Sequence, residues 1–152
     1  DAIHHVDLLR WLAGPSLEQA ADFDEVYAYS RVGPRPGSFH YNATIHFDND
    51  CQAVMMSHYG VGFRIQRAEA HAEGFSAYLD LTTNERRCEL YKAGAVYETP
   101  LDFDAIGGPE FNKTRHFGDC IREDKEPWSG LEDLVKTMRL CEAIAKGVKG
   151  RL

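Results

Sequence analysis

From Phe39 to Phe47 every odd position is apolar (Phe39, Tyr41, Ala43, Ile45, Phe47) and every even one is polar, a period of two that a half-buried strand satisfies. Asn49-Asp50 then signals a tight turn. Cys51 to Tyr59 returns with β-compatible residues on both faces, so the two segments read as an antiparallel hairpin. Glu25 to Val32 adds a strand before it. After it, Arg67, Glu69, His71 and Glu73 alternate with Ala68, Ala70 and Ala72, which makes one face of that strand polar. Gly74, Thr83-Asn84 and Ala93-Gly94 punctuate three more short strands, Ser76 to Leu81, Arg87 to Lys92 and Val96 to Thr99. Consecutive strands with no helix between them are mainly antiparallel, because parallel neighbours need long crossover connections.

Helical spacing frames these strands on both sides. Apolar residues recur along Asp1 to Leu12, and Gly14-Pro15 stops that helix. Near the other end, Pro109 suits a first helical turn, and Phe117, Cys120 and Ile121 give a short apolar stripe ending near Glu123 to Glu126. Ser129 and Glu132 form an S-x-x-E capping box ahead of Leu131, Leu134, Val135, Met138, Cys141, Ala145 and Val148, which recur every three or four residues. That stripe predicts an apolar surface beneath it. The economical architecture is α+β, an open, mainly antiparallel sheet with helices packed on one face. The other face carries Tyr, Met and Val with no helix to cover it, and is a candidate oligomer interface.

The chain has 152 residues, 43% of them hydrophobic, enough for one domain with its own core. Its 17 basic and 24 acidic residues leave a formal charge of −7, and Lys and Arg nowhere cluster densely enough to follow a phosphate backbone. Nucleic acid is therefore not an expected partner. No apolar run approaches the roughly 20 residues that cross a bilayer, and no signal-peptide order opens the chain, so no membrane association is expected. Cys51, Cys88, Cys120 and Cys141 stand singly among hydrophobic neighbours, which reads as buried free thiols in a reducing, cytoplasmic setting.

Candidate chemistry concentrates on the first helix. His4 and Asp7 are three apart and share a face, while His5 lies on an adjoining one. A His beside a carboxylate suits general acid/base work, because imidazole titrates near neutrality and the carboxylate steadies its charged form. The structural alternative has His4 packing or capping, His5 filling a core gap and Asp7 pairing with Arg10. A metal set drawn from His4, His5, His58 and His116 is disfavoured, since adjacent helical histidines diverge by about 100° and no H-x-x-x-H spacing occurs. His40, His46 and His71 fall at outward strand positions, where solvated or interface roles suit them. Tyr59-Gly-Val-Gly-Phe-Arg-Ile65, with two glycines, reads by itself as a hairpin turn with an exposed Arg64.

Ile3-His4-His5-Val6-Asp7-Leu8-Leu9-Arg10-Trp11-Leu12-Ala13-Gly14 resembles the I-H-x-x-D-L-L-R-W-L-x-G helix that opens the C-terminal domain of the glucose–fructose oxidoreductase and inositol dehydrogenase family, Gfo/Idh/MocA. Ala70 to Asp80 is similar to that family's strand, E-G turn, strand segment, and His116 to Pro127 resembles its F-x-x-x-I-R-E-G-x-x-P stretch. The resemblance implies that residues 1–152 are the substrate-binding and oligomerisation half of an NAD(P)-dependent oxidoreductase, with NAD or NADP bound by an N-terminal Rossmann domain outside this chain. It implies a sugar-like or cyclitol-like secondary alcohol as substrate, a homo-oligomer, and hydride transfer to the cofactor while the hydroxyl proton leaves to a lysine of the other domain and to His4. His4 is the histidine followed three residues later by the helix Asp. The family's accompanying carboxylate lies four residues before that histidine, one residue before this chain begins; Asp1, three before His4, is the nearest substitute. The resemblance also implies substrate contacts from the segment leading into the interior strands, which by position is Tyr59 to Ile65, where two glycines permit close approach and Arg64 suits a hydroxyl, carboxylate or phosphate; Asp7, Tyr59, Phe63 and Arg64 are the expected substrate contacts. The rival expectation is a non-catalytic binding or dimerisation module of the same fold.

Overall fold

The computed structural model describes residues 2–16, 18–82, 87–93 and 112–152, and the backbone of 95–100. Helix α1 (Ala2–Leu12) is followed by strands β1 (Phe23–Val32), β2 (Phe39–Phe47), β3 (Gln52–His58), β4 (Arg67–Ala72), β5 (Phe75–Asp80), β6 (Arg87–Lys92) and β7 (Ala95–Pro100). Helices α2 (Lys113–Glu123) and α3 (Leu131–Lys146) and the short strand β8 (Lys149–Arg151) complete it. The α+β class is as expected, and the strand bounds read from the pattern agree to within two residues. The single sheet is not what forms. Among the described residues two four-stranded sheets do, in the orders β3-β2-β1-β8 and β4-β5-β6-β7, and every pairing there is antiparallel. The chain leaves extended geometry between β3 and β4, at bends that include Gly60 with φ 75°, and the first ladder ends there.

The strands and helices fall into two compact units, residues 1–61 with 128–152, and residues 62–127. In the first, α1 and α3 pack over one face of the sheet. Val6 of α1, Val26 and Ala28 of β1, Ala43, Ile45 and Phe47 of β2, Met55 of β3, and Leu140, Ala143 and Ile144 of α3 are buried together. The odd positions of β2 therefore point inward as the period of two requires. The opposite face leaves Tyr27, Tyr29, Val54 and Met56 exposed, the last two 72% and 76% accessible. This is the uncovered face expected from the sequence.

Helix α3 settles with a different side inward from the one its strongest apolar stripe suggests. Leu131, Leu134, Val135 and Met138 are exposed, and Thr137, Leu140, Ala143 and Ile144 are buried instead. The helix is apolar on two adjoining sides, and the polar grip on Thr137 described below selects which one meets the sheet. The expected capping box is absent too: the N-cap is Gly130, with no side-chain bond, so Ser129 lies one residue too early to cap. At the other end Gly147 takes φ 68°, and its N–H bonds to Ala143 and Ile144 carbonyls. This turn brings Val148 beside Ala28, and Lys149–Arg151 adds the strand β8 along Glu25 to Tyr27. Nothing in the polar tripeptide Lys149-Gly150-Arg151 announces a strand.

In the second unit β4 to β7 form a meander. Arg67, Glu69 and His71 lie on one face with Tyr78, Asp80 and Glu89, while Ala77 and Cys88 are buried on the other. Helix α2 starts at Lys113 behind the N-cap Asn112, whose side chain accepts from the Thr114 and Arg115 N–H groups. Pro109 lies outside the described residues. Of the apolar stripe on α2 only Cys120 is buried; Phe117 and Ile121 are exposed. No helix of the described residues is long and apolar enough to cross a membrane.

Candidate active site

Helix α1 ends in a turn that only glycine allows: a Cβ on Gly14 would stand 2.1 Å from the Gln19 carbonyl oxygen. The chain folds back there, so that the Ala21 N–H bonds the Arg10 carbonyl at 2.9 Å and Arg10 Nε donates to the Ala21 carbonyl at 3.1 Å. Asn49, in the β2–β3 turn, donates its side-chain amide to the Ala13 carbonyl at 2.7 Å. The C-terminal end of α1 is thus held by two separate stretches of chain.

Arg10 is fully buried, and its guanidinium organises the seam between α1 and α3. Nη2 donates to Asp133 Oδ1 at 2.7 Å, and Nη1 donates to Thr137 Oγ1 at 2.7 Å and to the Asp133 carbonyl at 3.1 Å. Thr137 Oγ1 in turn donates to Asp7 Oδ1 at 2.7 Å. Asp22 lies 3.8 Å from Nη2 and holds Lys136 Nζ at 2.8 Å. A buried guanidinium is tolerated only when its donors are satisfied, and here carboxylates, a hydroxyl and carbonyls take them up. Asp133 Oδ2 is buried with no hydrogen-bond partner among the described groups. Asp7 also pushes the half-buried Cys141 thiol above its ordinary value, after burial itself, which is the larger cause.

His4 stands exposed on α1, and Leu8 and Leu12, one and two turns on, are exposed with it. His5 is half-buried. The carboxylate of Asp7 is bonded to Thr137, so the bond to Arg10 weighed from the sequence is made through an intervening hydroxyl. Asp1 lies outside the described residues. Tyr59 is half-buried in the first unit, where its N–H bonds the Phe39 carbonyl at 2.7 Å. Phe63 and Arg64 belong to the second unit; both are exposed, and Arg64 Nη2 donates to Gln66 Oε1 at 3.3 Å. Thr137, Asp133, Asp22 and Lys136 were not anticipated. The available signal was a charged residue, Arg10, set within the apolar side of α1 beside Val6 and Leu9.

Among the described residues all strand pairings are antiparallel and no strand runs through a glycine loop into a helix, and the sequence has no G-x-G-x-x-G. The cysteines are free thiols, with Cys88 and Cys120 buried as expected but Cys51 exposed, because it sits in the β2–β3 turn and not on the strand.

No protein-family model matches the chain. No curated protein matches it either. Among solved structures it is similar to an aldose-aldose oxidoreductase from Caulobacter crescentus complexed with glycerol, at TM-score 0.72 and 19% identity over 95% of this chain and 43% of that one. It is similar also to the WlbA dehydrogenase from Bordetella pertussis in complex with NADH and UDP-GlcNAcA, at TM-score 0.52 and 21% identity over 99% of this chain and 44% of that one. This chain has the fold found in parts of those oxidoreductases. It spans less than half the length of either, and the fold is the one implied by the family resemblance of its motifs.

Proposed function

We propose that the chain is the substrate-binding and oligomerisation domain of a cytoplasmic NAD(P)-dependent oxidoreductase of the Gfo/Idh/MocA family, acting on a secondary alcohol of a sugar or cyclitol. The observation that carries this reading is the placement of His4, solvent-exposed in line with Leu8 and Leu12 on a helix whose far end is clamped by Arg10. An acid/base group is most effective when its carrier is rigid and its ring is open to substrate. The exposed apolar residues beside it, with Leu131, Leu134, Val135 and Met138 on α3, offer a surface on which a second domain would close over substrate. One structural neighbour is an aldose-aldose oxidoreductase holding glycerol and the other a dehydrogenase holding NADH and UDP-GlcNAcA, and more than half of each lies beyond the matched region, which leaves room for such a domain.

In this reading His4 accepts the proton of the substrate hydroxyl, while the hydrogen on the same carbon would leave as hydride to NAD(P) held outside these residues; in the opposite direction His4 returns the proton. Asp1 is the candidate carboxylate partner, and Asp7, Tyr59, Phe63 and Arg64 the candidate substrate contacts. NAD or NADP is assigned to a nucleotide-binding domain outside these residues. Assaying the intact protein with NAD and NADP against aldoses and cyclitols, as wild type and as His4→Ala, tests the assignment. Turnover that falls roughly 10²–10⁴-fold in the variant supports it, and turnover that survives removes His4 from the chemistry. The second reading, a non-catalytic dimerisation module, is favoured by the exposed outer face of Tyr27, Tyr29, Val54 and Met56, and predicts no turnover at all.

A further inference from the structure

His40 and His58 are direct cross-strand partners on β2 and β3, and β3 is the edge of its sheet. Both side chains lie on the outer face, away from the core, and the two imidazole centroids are 4.9 Å apart. With metal–nitrogen bonds of about 2.1 Å directed along each ring, centroids sharing one ion stand roughly 4.6–5.3 Å apart for angles between square-planar and tetrahedral. The observed spacing falls inside that range.

The hydrogen bonds of the rings point the same way. His58 Nε2 lies 3.0 Å from Asn42 Oδ1, an acceptor, and the neutral tautomer that suits this contact has its proton on Nε2 and its lone pair on Nδ1. His40 Nε2 lies 3.4 Å from Ser38 Oγ, whose own hydroxyl donates to the Tyr59 carbonyl at 3.5 Å. With the hydroxyl so directed, the neutral His40 tautomer that suits the contact also has its proton on Nε2 and its lone pair on Nδ1. Holding the remote ring nitrogen of each histidine through a polar side chain is the arrangement that orients imidazoles for a metal. Arg31 is the register partner of His40 on β1, and as an exposed cation it is screened by water, while the chain carries −7 overall. No group of three or more His, Cys, Asp or Glu among the described residues is placed to hold an ion, so the site rests on two imidazoles with the other positions open to water.

We propose that His40 and His58 form a two-imidazole binding site for a divalent d-block cation, Zn²⁺, Ni²⁺ or Cu²⁺, at the edge of the first sheet. Asn42 and Ser38 position the rings and are not ligands. The test is Zn²⁺ titration of the chain, followed by the NMR signals of the histidine rings and by competition with a chromophoric chelator. The expected result is saturation near one equivalent, with the His40 and His58 rings shifting together and ahead of His46 and His71. His58→Gln and His40→Asn should each lower the affinity by more than about tenfold, and Asn42→Ala by roughly 10- to 100-fold with both ligands still present. Far-UV circular dichroism of each variant confirms that the fold persists, and His58 is exposed, so its replacement disturbs no core packing. Undiminished binding in His58→Gln, earlier shifts at any other histidine, or no binding at millimolar Zn²⁺ would each overturn the proposal.

Discussion

Arg10 Nη2 and Asp133 Oδ1 meet at 2.7 Å across 123 residues of sequence, and the guanidinium is entirely out of solvent. Removing one partner of such a pair leaves a buried charge unmatched, which typically costs about 3–5 kcal/mol. Arg10→Ala should therefore lower the urea midpoint by that equivalent. Replacing both partners together with apolar residues of similar volume, Arg10→Met with Asp133→Leu, should be less damaging than the sum of the single changes. Urea unfolding of the four proteins of this cycle measures the coupling, and strict additivity would show that the contact contributes nothing of its own.

Thr137 passes the grip of Arg10 to Asp7, and through α1 to the turn that carries His4. If the proposed oxidoreductase reading holds, His4→Ala in the intact protein should lose turnover roughly 10²–10⁴-fold while its stability changes by less than about 0.5 kcal/mol, because the ring is exposed. His5→Ala, at a half-buried position, should lower the melting temperature more than His4→Ala does. Turnover and melting curves on the two variants decide which histidine holds the chemical position. The reverse pattern assigns it to His5.

Asp80 titrates at about 2, held down first by the Thr82 side chain, then by the Thr82 N–H at 2.9 Å and by Arg67 at 2.7 Å. This lies below the value of about 3.9 expected in the unfolded chain. The sign is fixed by that order: Asp80 stabilises the fold above pH 4, and its contribution fades as pH falls from about 4 to about 2. Carbon NMR of the Asp80 carboxyl should give a midpoint near 2, and Asp80→Asn should flatten that part of the stability curve. A midpoint near 4 would mean that the contacts to Thr82 and Arg67 do not persist in solution.

Cysteine reactivity should follow burial. Cys51 is exposed in the β2–β3 turn, Cys88 and Cys120 are buried, and the Cys141 thiol is pushed up by its surroundings and by Asp7. Brief alkylation at pH 8 followed by mass spectrometry should find Cys51 modified first. Asp7→Asn should bring the Cys141 value down and speed its alkylation. Equal labelling of all four thiols in the native protein would contradict the packing of α3 on the sheet.

The outer face of the first sheet exposes Tyr27, Tyr29, Val54 and Met56 together. If this face joins two copies, as proposed, Val54→Glu with Met56→Glu should convert a dimer to a monomer in sedimentation while the far-UV circular dichroism of the folded chain stays the same, since neither side chain enters the core. An unmodified protein that stays monomeric at high concentration would show that the face serves no self-association.

The strands were legible because their information is local. A period of two over Phe39 to Phe47 can be met only by extended chain with one face inward, and Ala43, Ile45 and Phe47 are buried accordingly. His4 and Asp7 could be singled out from spacing alone. What spacing could not supply was the environment of either one. Helix α3 is apolar on two adjoining sides, so periodicity favoured Leu131, Leu134, Val135 and Met138, and the tertiary fold buried Thr137, Leu140, Ala143 and Ile144. Thr137 is drawn inward by Arg10 and Asp7, more than 120 residues away, a bond that no local pattern encodes. The break into two sheets and the addition of β8 have the same origin. Both depend on where the chain arrives after a turn, and a ladder extends only where another backbone is present to pair with it.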